Sequence, residues 1–481
     1  MNYSPEQQRA FDIYTQGHNL FITGPGGSGK SALIKHIYKH ATAYCKIIHV
    51  TALTGCAAIL LNCKAKTLHS WSGIGLGQND AQHYIDKIRK NKFLKSLWKD
   101  TQVLIVDEVS MLSIKLFHIL NEIGQAIRKN PKPFGGIQLI FSGDFYQLPP
   151  VGNQDDPDTQ KFCFESELWN NTFQIPHQIE FQKIFRQSDE QYSSILNQIR
   201  KGQIKRKSNE LLLSYVGRTI DPALVTEPTK LFPTKYKVEQ INLKNMSSLQ
   251  SESKIYTLRY LTDLEMTKSD KDIRRHYNER DIQLEHEFLA GNLLCEKEIN
   301  LKIGAQVMCV INIKSADGDI MICNGSQGIV TEYCSIFGCP RVKYNNGVEM
   351  VMTRHVWASD KIPGIGVSQV PLILSWALTI HKCQGATLDV AEIDAGSGIF
   401  ECGQTYVALS RVKSLDGLYL TSFDATRIRI NKKVKEYYDY LQVINTQDTK
   451  DTQDTKATQD TKATQEINTE TATATTANSS F

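Results

Sequence analysis

The chain has 481 residues, of which 41% are hydrophobic, and it carries a formal net charge of +4 at neutral pH. This length predicts several domains, because single domains usually contain roughly 100–200 residues. The apolar runs are too short and too interrupted to cross a membrane, and the first residues lack a signal-peptide pattern, so we expect an intracellular protein that does not bind membranes. The mildly basic charge allows a nucleic-acid partner without requiring one.

The chain opens with a helix-start pattern. Ser4 is a suitable N-cap, Pro5 suits the first helical position, and Gln7 stands three residues after the cap, as in a capping box. In this interpretation Gln7 serves only its own helix. A glutamine just ahead of a nucleotide site can instead read adenine through paired hydrogen bonds, and the residues alone support both interpretations equally.

A glycine-rich loop, Gly24-Pro-Gly-Gly-Ser-Gly-Lys30-Ser31, follows the apolar stretch 20–23 and precedes a helical pattern over 32–43. Its spacing fits G-x-x-x-x-G-K-[ST], in which small residues let backbone N–H groups close around a β-phosphate. Lys30 can reach the β- and γ-phosphates, and the Ser31 hydroxyl can bind Mg²⁺. The predicted nucleotide-binding residues of the loop are Gly24, Gly26, Gly27, Ser28, Gly29, Lys30 and Ser31.

Two adjacent acidic residues end the third predicted strand, over 101–106. A buried strand that delivers neighbouring carboxylates is costly unless they meet a cation. Asp107 can hold Mg²⁺ through water, and Glu108 can accept a proton from the attacking water. The alternative, an acidic helix N-terminus, is less favoured because the pair follows a phosphate loop within one α/β pattern.

Polar and aromatic residues after the second and fourth predicted strands allow two interpretations each. The stretch Thr67-Leu-His69-Ser-Trp71 has hydroxyls, an imidazole and an indole that could hold a phosphodiester backbone and stack a base. Ordinary turn residues around a buried tryptophan are equally well supported. After the strand predicted over 136–144, Gln147 could sense a γ-phosphate and Phe145 could meet bases, although an aromatic residue there is more often part of the core.

The second half of the chain changes pattern twice. A second α/β set begins at 230–234 and resumes over 372–422, while the charged stretch 250–290 predicts a solvated surface. Between 301 and 356 the apolar residues form short alternating runs interrupted by glycine, which predicts a small β-barrel. Arg411 ends a predicted helix, where a lone arginine usually caps the helix or forms an ion pair.

The last 36 residues, 446–481, repeat a hexad that begins Thr-Gln-Asp-Thr-Lys and contain almost no apolar side chains. Such a segment cannot offset its ordering entropy by burying apolar surface, so we expect it to be disordered. A solenoid repeat would need apolar positions that this repeat lacks.

Together these stretches resemble the petite integration frequency (Pif-type) DNA helicases of superfamily 1, class B, over most of residues 3–425. The matching segments are 4–7 (Q motif), 24–31 (motif I), 50–58 (motif Ia), 67–75 (a DNA-contacting motif), 106–111 (motif II), 133–150 (the family signature with motif III), 185–187, 231–234, 377–387 (motif V) and 406–411 (motif VI). The segment 133–150 is the most specific of them. The departures are small: Leu53 stands where proline is usual, and Cys383 where alanine or serine is common.

This resemblance implies an α/β fold with two RecA-like P-loop NTPase motor domains, ATP and Mg²⁺ bound between them, and a small Src-homology-3-like β-barrel inserted in the second. The expected boundaries are 1–175 for the first motor domain with a small wedge insertion near 62–80, 176–249 and 366–445 for the second motor domain, 250–365 for the insert, and 446–481 for the tail.

The resemblance also implies roles for single residues. It assigns Gln7 to adenine, and it makes Arg186 and Arg411 arginine fingers on the γ-phosphate. The expected catalytic residues are Lys30, Glu108, Gln147, Arg186 and Arg411, and the expected metal ligands are Ser31 and Asp107. The expected DNA contacts are Thr51, Thr54, Thr67, His69, Trp71, Phe145, Thr379, His381 and Lys382.

The implied activity is ATP hydrolysis that drives 5′-to-3′ movement on single-stranded DNA and unwinds duplex or structured DNA in replication, repair or recombination. A monomer is expected. One alternative is a translocase that displaces proteins with little unwinding, and another is a single-strand-binding module with a weak ATPase. The intact Lys30, Asp107 and Glu108 argue against the second alternative.

Overall fold

The computed structural model describes residues 3–443 except 62, 76, 78, 187–188, 223, 315–319, 323 and 360–361. The hexad repeat, expected to be disordered, lies outside the described residues. Across the described ranges no helix is both long enough and apolar enough to pass through a membrane.

The first domain is a parallel sheet with helices packed on it. Its elements are α1 (Pro5–Thr15), β1 (Leu20–Thr23), α2 (Lys30–Ala43), β2 (Ile48–Ala52), α3 (Gly55–Leu61), β3 (Lys66–Thr67), α4 (Leu68–Ser72), α5 (Ala81–Lys90), α6 (Lys92–Asp100), β4 (Val103–Asp107), α7 (Ile114–Arg128), β5 (Gln138–Ser142), α8 (Leu168–Thr172) and β6 (Gln178–Glu180). The sheet order is β3-β2-β4-β5-β1-β6. Both β1 and β4 are buried along their whole length, as expected for continuous apolar strands of a parallel sheet.

One expected boundary of the first domain changes, and part of its expected insertion belongs to the core. Strand β6 pairs with β1, so the domain extends to residue 180 and not only to 175. The expected insertion near 62–80 contains β3 and α4, and Leu68 and Trp71 of α4 belong to the hydrophobic core of the domain. The described residues of this stretch are therefore part of the domain's packing, and a wedge role for them stays a prediction.

The register of the sheet brings three loops to one edge. Strand β1 runs into the glycine-rich loop, β4 ends at Asp107, and β5 runs into 143–147. Pairing of Ile22 with Ser142, and of Ala52 with Asp107, aligns the ends of these strands. The crevice beyond the carboxyl ends of parallel strands is where such sheets bind ligands, so this edge is where a nucleotide site is expected.

The second domain is interrupted by a long insert. It begins with α9 (Glu190–Arg200), α10 (Arg206–Ser214), β7 (Thr229–Phe232) and α11 (Lys235–Ser248). The insert contains β8 (Lys254–Thr257), β9 (Arg259–Leu261), α12 (Lys268–Arg274), α13 (Glu279–Asn292), β10 (Glu298–Leu301), β11 (Gln306–Cys309), β12 (Ile313–Lys314), β13 (Ile320–Ile322), β14 (Gln327–Tyr333), β15 (Pro340–Tyr344), β16 (Glu349–Val351), β17 (His355–Ala358), β18 (Gly366–Gln369) and β19 (Leu372–Leu374). The domain resumes with β20 (Ala377–Thr379), β21 (Ala391–Ala395), α14 (Gln404–Leu409) and β22 (Leu418–Phe423), and its parallel sheet has the order β20-β7-β21-β22.

The insert is built from antiparallel strands, as the alternating sequence pattern predicts. Its largest sheet has the order β16-β15-β14-β11-β19, and a smaller one has the order β17-β18-β9. Strands β18 and β19 pair with insert strands, so the expected boundary at 365 is wrong and the insert extends to residue 374. In sequence, the stretch 366–374 resembles a buried strand of a motor domain. Only its pairing with other insert strands shows that it belongs to the insert. The Src-homology-3-like assignment stays a prediction.

The C-terminal helix, residues 432–443, packs on the first domain. Its inward side chains Val434, Tyr438 and Leu441 are each 1% exposed and belong to the core cluster of the first domain. The Phe145 backbone N–H donates to the Tyr438 hydroxyl at 3.1 Å, and this hydroxyl also bonds the Thr23 hydroxyl. The expected assignment of 366–445 to the second domain is therefore wrong at its end, because tertiary packing places this helix elsewhere.

A buried cation lies beside this helix. Arg200, the last residue of α9, is 2% exposed and makes two 2.9 Å hydrogen bonds to the Asp144 carboxylate and one of 3.1 Å to Glu180. Its guanidinium carbon lies 4.8 Å from the centre of the Tyr146 ring and 5.2 Å from that of Tyr438, and these two rings stack at 4.6 Å. The cation thus joins α9, the 143–147 loop and the C-terminal helix.

Replacing Tyr438 by alanine should lower the free energy of unfolding by about 3 kcal/mol, because it removes a fully buried ring. Tyr438→Phe keeps the ring and loses the hydroxyl contacts to Thr23, Phe145 and Asp144, so about 1 kcal/mol is expected. Chemical denaturation monitored by tryptophan fluorescence measures both changes. The control is Tyr440→Ala on the same helix, at a side chain that is 48% exposed, and its effect should be within about 0.5 kcal/mol of zero. Equal losses at both positions would mean that the helix does not pack as described.

Candidate ATP site and DNA-binding surface

The phosphate loop presents hydrogen-bond donors to the cleft. The Lys30 ammonium donates to the carbonyl oxygens of Gly24 at 2.7 Å and Pro25 at 3.0 Å, and burial lowers the pKa of Lys30. The Ser28 hydroxyl is buried and has no hydrogen-bond partner among the described residues. Gly29 caps α2 with a φ of 87°, in the left-handed region that glycine tolerates. An anionic phosphate at this helix N-terminus would satisfy these donors.

The two acidic residues meet the loop at the end of β4. Asp107 is 6% exposed, and burial together with the neighbouring Glu108 carboxylate raises the pKa of Asp107 to about 7. A divalent cation would offset that penalty. Asp107 and Ser31 line the same cavity and offer oxygen ligands, the type that Mg²⁺ prefers, so the residues fit the expected ion. Glu108 has φ 57° and ψ 40°, a left-handed conformation that is uncommon for glutamate and persists only where the surroundings specify it.

Three side chains from outside the first domain face the loop at Gly26. A Cβ atom placed on Gly26 would lie 3.7 Å from Nη2 of Arg411, 3.7 Å from the hydroxyl of Tyr406 and 3.8 Å from Nη1 of Arg186. The Gly26 N–H donates to the Tyr406 hydroxyl at 2.9 Å. Burial and the neighbouring Arg411 cation lower the pKa of Arg186 to about 10. Two guanidinium groups so close to one loop favour an anion between them.

Both domains line one cavity of about 300 Å³ at this point. The predicted residues that it brings together are Gly26, Gly27, Ser28, Gly29, Lys30, Ser31, Asp107, Glu108, Gln147, Arg186 and Arg411. Tyr406 was missed by the sequence analysis, although its position in motif VI, five residues before Arg411, was an available signal. The predicted site therefore assembles in three dimensions from segments almost 400 residues apart.

Gln7 forms the capping box that its spacing predicts. The Ser4 N–H donates to Oε1 of Gln7 at 3.1 Å, and the Gln7 N–H donates to the Ser4 hydroxyl at 3.3 Å. Its amide nitrogen also approaches the Ser28 carbonyl oxygen, at 3.5 Å. The capping interpretation is confirmed, and the contact places Gln7 against the phosphate loop. Adenine recognition stays a prediction.

Three expected DNA contacts have side chains that tertiary packing buries, and DNA contacts from these residues stay predictions. Thr51 is fully buried in the first sheet, and its hydroxyl donates to the Ile105 carbonyl oxygen at 2.8 Å. Trp71 is 2% exposed and its ring centre lies 4.7 Å from that of Trp98. Phe145 is 1% exposed within the aromatic core. For both aromatic residues the core interpretation is correct.

Three expected threonine contacts form local turns. The Thr54 hydroxyl accepts a hydrogen bond from the N–H of residue 57, the Thr67 hydroxyl from that of residue 70, and the Thr379 hydroxyl from that of residue 382, at distances of 3.2 to 3.3 Å. These bonds fix the start of α3, the start of α4 and the turn after β20. DNA contacts from these threonines stay predictions.

Two adjoining cavities connect the remaining DNA candidates of the two domains. His69 lines one of about 250 Å³ and His381 lines one of about 520 Å³, and both cavities include Pro150 and Val151. Burial lowers the pKa of each histidine, so both are neutral hydrogen-bonding groups near pH 7. Val151 is 81% exposed, and Phe400 on the larger cavity is 56% exposed. Exposed apolar side chains along a polar groove can pack against nucleobases, and the sequence analysis missed both.

Lys382, the remaining expected DNA contact, is exposed immediately after His381. It provides a flexible cation beside the larger cavity. A second surface, at a cavity of about 380 Å³, lies where the first domain meets the insert and is lined by Lys64, Lys66 and Trp357 among others. Lysine side chains together with an indole ring make this surface suitable for binding single-stranded nucleic acid as well.

A phosphate loop, an acidic strand end, one arginine from a second parallel-sheet domain and one from the segment that joins the two domains define the chain as a two-domain P-loop NTPase. Residues 3–210 match the family model for PIF1-like helicase, and residues 286–333 match that for the 2B domain of the DNA helicase Pif1. The chain belongs to the PIF1-like helicase family. The predicted fold with two RecA-like motor domains and the predicted class, ATP-dependent DNA helicase, are confirmed at the level of this family.

Individual relatives agree with this assignment. The ATP-dependent DNA helicase RRM3 of Saccharomyces cerevisiae is 32% identical over 91% of this chain and 68% of its own length. The ATP-dependent DNA helicase PIF1 of Emericella nidulans is 34% identical over 89% of this chain, which spans 61% of that relative. This chain thus spans roughly two thirds of the length of these curated relatives.

Two structures of Pif1 from Bacteroides sp, each 27% identical to this chain, allow a comparison of states. The unliganded structure has a TM-score of 0.70 and covers 91% of this chain and 97% of its own. The structure bound to single-stranded DNA has a TM-score of 0.61 and covers 93% and 98%. The present arrangement of domains is therefore more similar to the unliganded one.

Lys30→Ala should abolish ATP turnover while leaving the fold intact. The ammonium stabilises charge on the transferring phosphoryl group. Loss of such a contact removes about 3 kcal/mol of transition-state stabilisation. Steady-state phosphate release measures the effect. The matched control is Lys39→Ala, at an exposed position on the same helix α2, and it should keep normal turnover. Near-normal hydrolysis by Lys30→Ala would show that the site is assigned incorrectly.

Proposed function

We propose that this chain hydrolyses ATP in the cleft between its motor domains, uses the cycle to move 5′-to-3′ along single-stranded DNA, and unwinds duplex or structured DNA as a monomer. The observation that carries the proposal is the convergence of Arg186 and Arg411 on the phosphate loop, opposite Lys30 and Glu108. Hydrolysis then requires both domains, so the chemical step depends on the closure of the cleft.

The described residues divide the chemistry between the two sides of the cleft. Glu108 accepts the proton of the attacking water. Lys30 and the backbone N–H groups of the phosphate loop stabilise the charge on the transferring phosphoryl group, and Arg186 and Arg411 add positive charge from the opposite side. Ser31 and Asp107 would hold Mg²⁺, which would supply positive charge to the phosphate groups.

The groove shared by the two domains is suited to a single strand. Its neutral histidines and exposed Lys382 can contact phosphates, and Val151 and Phe400 offer apolar surfaces to bases. Contacts to phosphates and to the faces of bases carry no sequence information, so we expect binding that tolerates any sequence and weakens with salt. A strand that crosses both domains is bound by each of them, and closure of the cleft then moves one DNA-binding site relative to the other.

The direction of movement rests on the insert in the second domain. Its position between β7 and β20 and its antiparallel strands resemble the insert of the 5′-to-3′ class of superfamily 1. A solved structure of Pif1 concerns DNA unwinding at forked double-stranded DNA by two coordinating Pif1 helicases. For the present chain, a monomer remains our proposal, and sedimentation on a forked substrate distinguishes one bound copy from two.

Arg411→Ala should slow the chemical step by about 10³- to 10⁵-fold while ATP still binds, as expected for an arginine finger, and Arg186→Ala should behave in the same way. Single-turnover hydrolysis and equilibrium nucleotide binding must be measured separately. Arg206→Ala, at a side chain that is 91% exposed on α10, is the charge-matched control and should leave both unchanged. If the variants lose affinity for ATP but keep the rate of hydrolysis, these arginines contribute to the binding of ATP and not to the chemical step.

Unwinding should require a 5′ single-stranded tail. Two fluorescent duplexes that are identical except for tail polarity are compared with ATP and Mg²⁺ at low salt, and only the 5′-tailed one should be separated. The physical reason is that the leading domain must meet the duplex junction from the 5′ side. Preferential separation of the 3′-tailed duplex would refute the proposed 5′-to-3′ polarity of translocation without contradicting the assignment of the ATP site. Stripping of a bound protein without strand separation would favour a translocase.

A further inference from the structure

A single side-chain hydrogen bond joins the proposed general base to the second domain. The Gln384 amide nitrogen donates to Oε2 of Glu108 at 3.1 Å. An ionised carboxylate can only accept, so the amide N–H must be the donor. Gln384 is 6% exposed and lies in the turn that follows β20. The bond therefore crosses the cleft from the DNA-facing part of the second domain to the catalytic edge of the first.

The same turn holds the proposed arginine finger. Arg411 is 2% exposed, and its Nη1 lies 3.4 Å from the carbonyl oxygens of both Cys383 and Ala386. Its Nε donates to the Val407 carbonyl oxygen at 2.8 Å, and its Nη2 donates to the Ser410 hydroxyl at 2.7 Å. In this arrangement the guanidinium is engaged by its own domain.

The turn also carries the proposed DNA contacts of the second domain. The Lys382 N–H donates to the Thr379 hydroxyl, the Cys383 N–H to the Thr379 carbonyl oxygen and the Gln384 N–H to the His381 carbonyl oxygen, each at 3.2 Å. Residues 379–386, which we call the relay turn, thus form one hydrogen-bonded unit. A displacement of His381 or Lys382 by a DNA strand is transmitted to Gln384 within three residues.

We infer that the relay turn is a DNA sensor, with Gln384 as a positioning residue that restrains Glu108 when no DNA is bound. The inference rests on the proposed function. Without DNA, Gln384 holds the Glu108 carboxylate toward the second domain while Arg411 remains engaged by the relay turn. A strand that binds at His381 and Lys382 shifts the turn, breaks the bond between Gln384 and Glu108, and frees the base to face the attacking water.

Two features support a restraining role for the bond. It is present in a domain arrangement more similar to the unliganded Bacteroides Pif1 than to the DNA-bound one. It is also made by a neutral amide that has no proton to give or take at the reaction centre, so its contribution is positional. A bond needed only for catalysis would be expected to form once nucleotide and DNA are in place.

The test compares Gln384→Met with the wild type. Methionine conserves the length and volume of the side chain and removes the donor. Steady-state ATPase is measured without DNA and with saturating oligothymidine, together with the KM for ATP and the affinity for the oligonucleotide. We expect kcat without DNA to rise about tenfold, the scale set by the loss of one charge-assisted hydrogen bond, with little change in the DNA-stimulated kcat or in either affinity.

Two further variants make the result specific. Gln384→Glu keeps the shape and places a like charge beside Glu108, so it should also raise the rate without DNA. Gln240→Met is the matched control, because Gln240 is an exposed residue on α11 whose amide donates to the Tyr236 hydroxyl. DNA should stimulate the ATPase of this variant as much as that of the wild type. Melting temperatures of all variants establish that they fold.

Each other outcome overturns the inference. An equal fall in kcat with and without DNA would make Gln384 an activating residue, and an unchanged ratio of the two rates would make its bond merely structural. These results leave the proposed function intact, because the wild type is still stimulated by DNA. A wild-type chain whose ATPase ignores DNA would overturn the proposed function itself, and the sensor with it.

Discussion

The buried ion cluster at Arg200 is the contact on which the two-domain arrangement depends. Its partners Asp144 and Glu180 are themselves almost fully buried, so the charges are compensated only while α9 stays against the first domain. Removing one member of such a cluster leaves an uncompensated buried charge, which costs about 3–5 kcal/mol. Because Asp144 belongs to the loop that also carries Gln147, the cluster fixes the position of one wall of the ATP site.

The catalytic groups are useful only because that arrangement leaves a cleft between the domains. Lys30 begins α2 and Glu108 follows β4 in the first domain, while Arg411 comes from the second domain and Arg186 from the segment that joins the two domains. None of these groups needs to move far, since Gly26 already has both guanidinium groups within van der Waals range of its missing side chain. A small change in the angle between the domains could therefore move the arginines away from the phosphate loop, so that a nucleotide is bound but not hydrolysed.

The sequence predicts the ATP site well because its signals are local. The spacing of Gly24 to Ser31 and the acidic pair at 107–108 specify backbone and charge within a few residues of each other. The burial of Thr51, Trp71 and Phe145 depends on segments distant in the chain, and a motif match does not report it. The same holds for β18, β19 and the C-terminal helix, whose partners are set by pairing and packing. Gln384 has no sequence signal of its own, because its importance lies in a contact across 276 positions.

The return of the C-terminal helix to the first domain changes how the second domain can move. The second domain is joined to the first by two segments, 181–189 on entry and 424–431 on exit, and both lead into packed structure. A body held by one linker can swivel in any direction, whereas a body held by two can turn mainly about the line between its attachments. Two attachments of this kind would restrict any opening and closing of the cleft to rotation about the line between them.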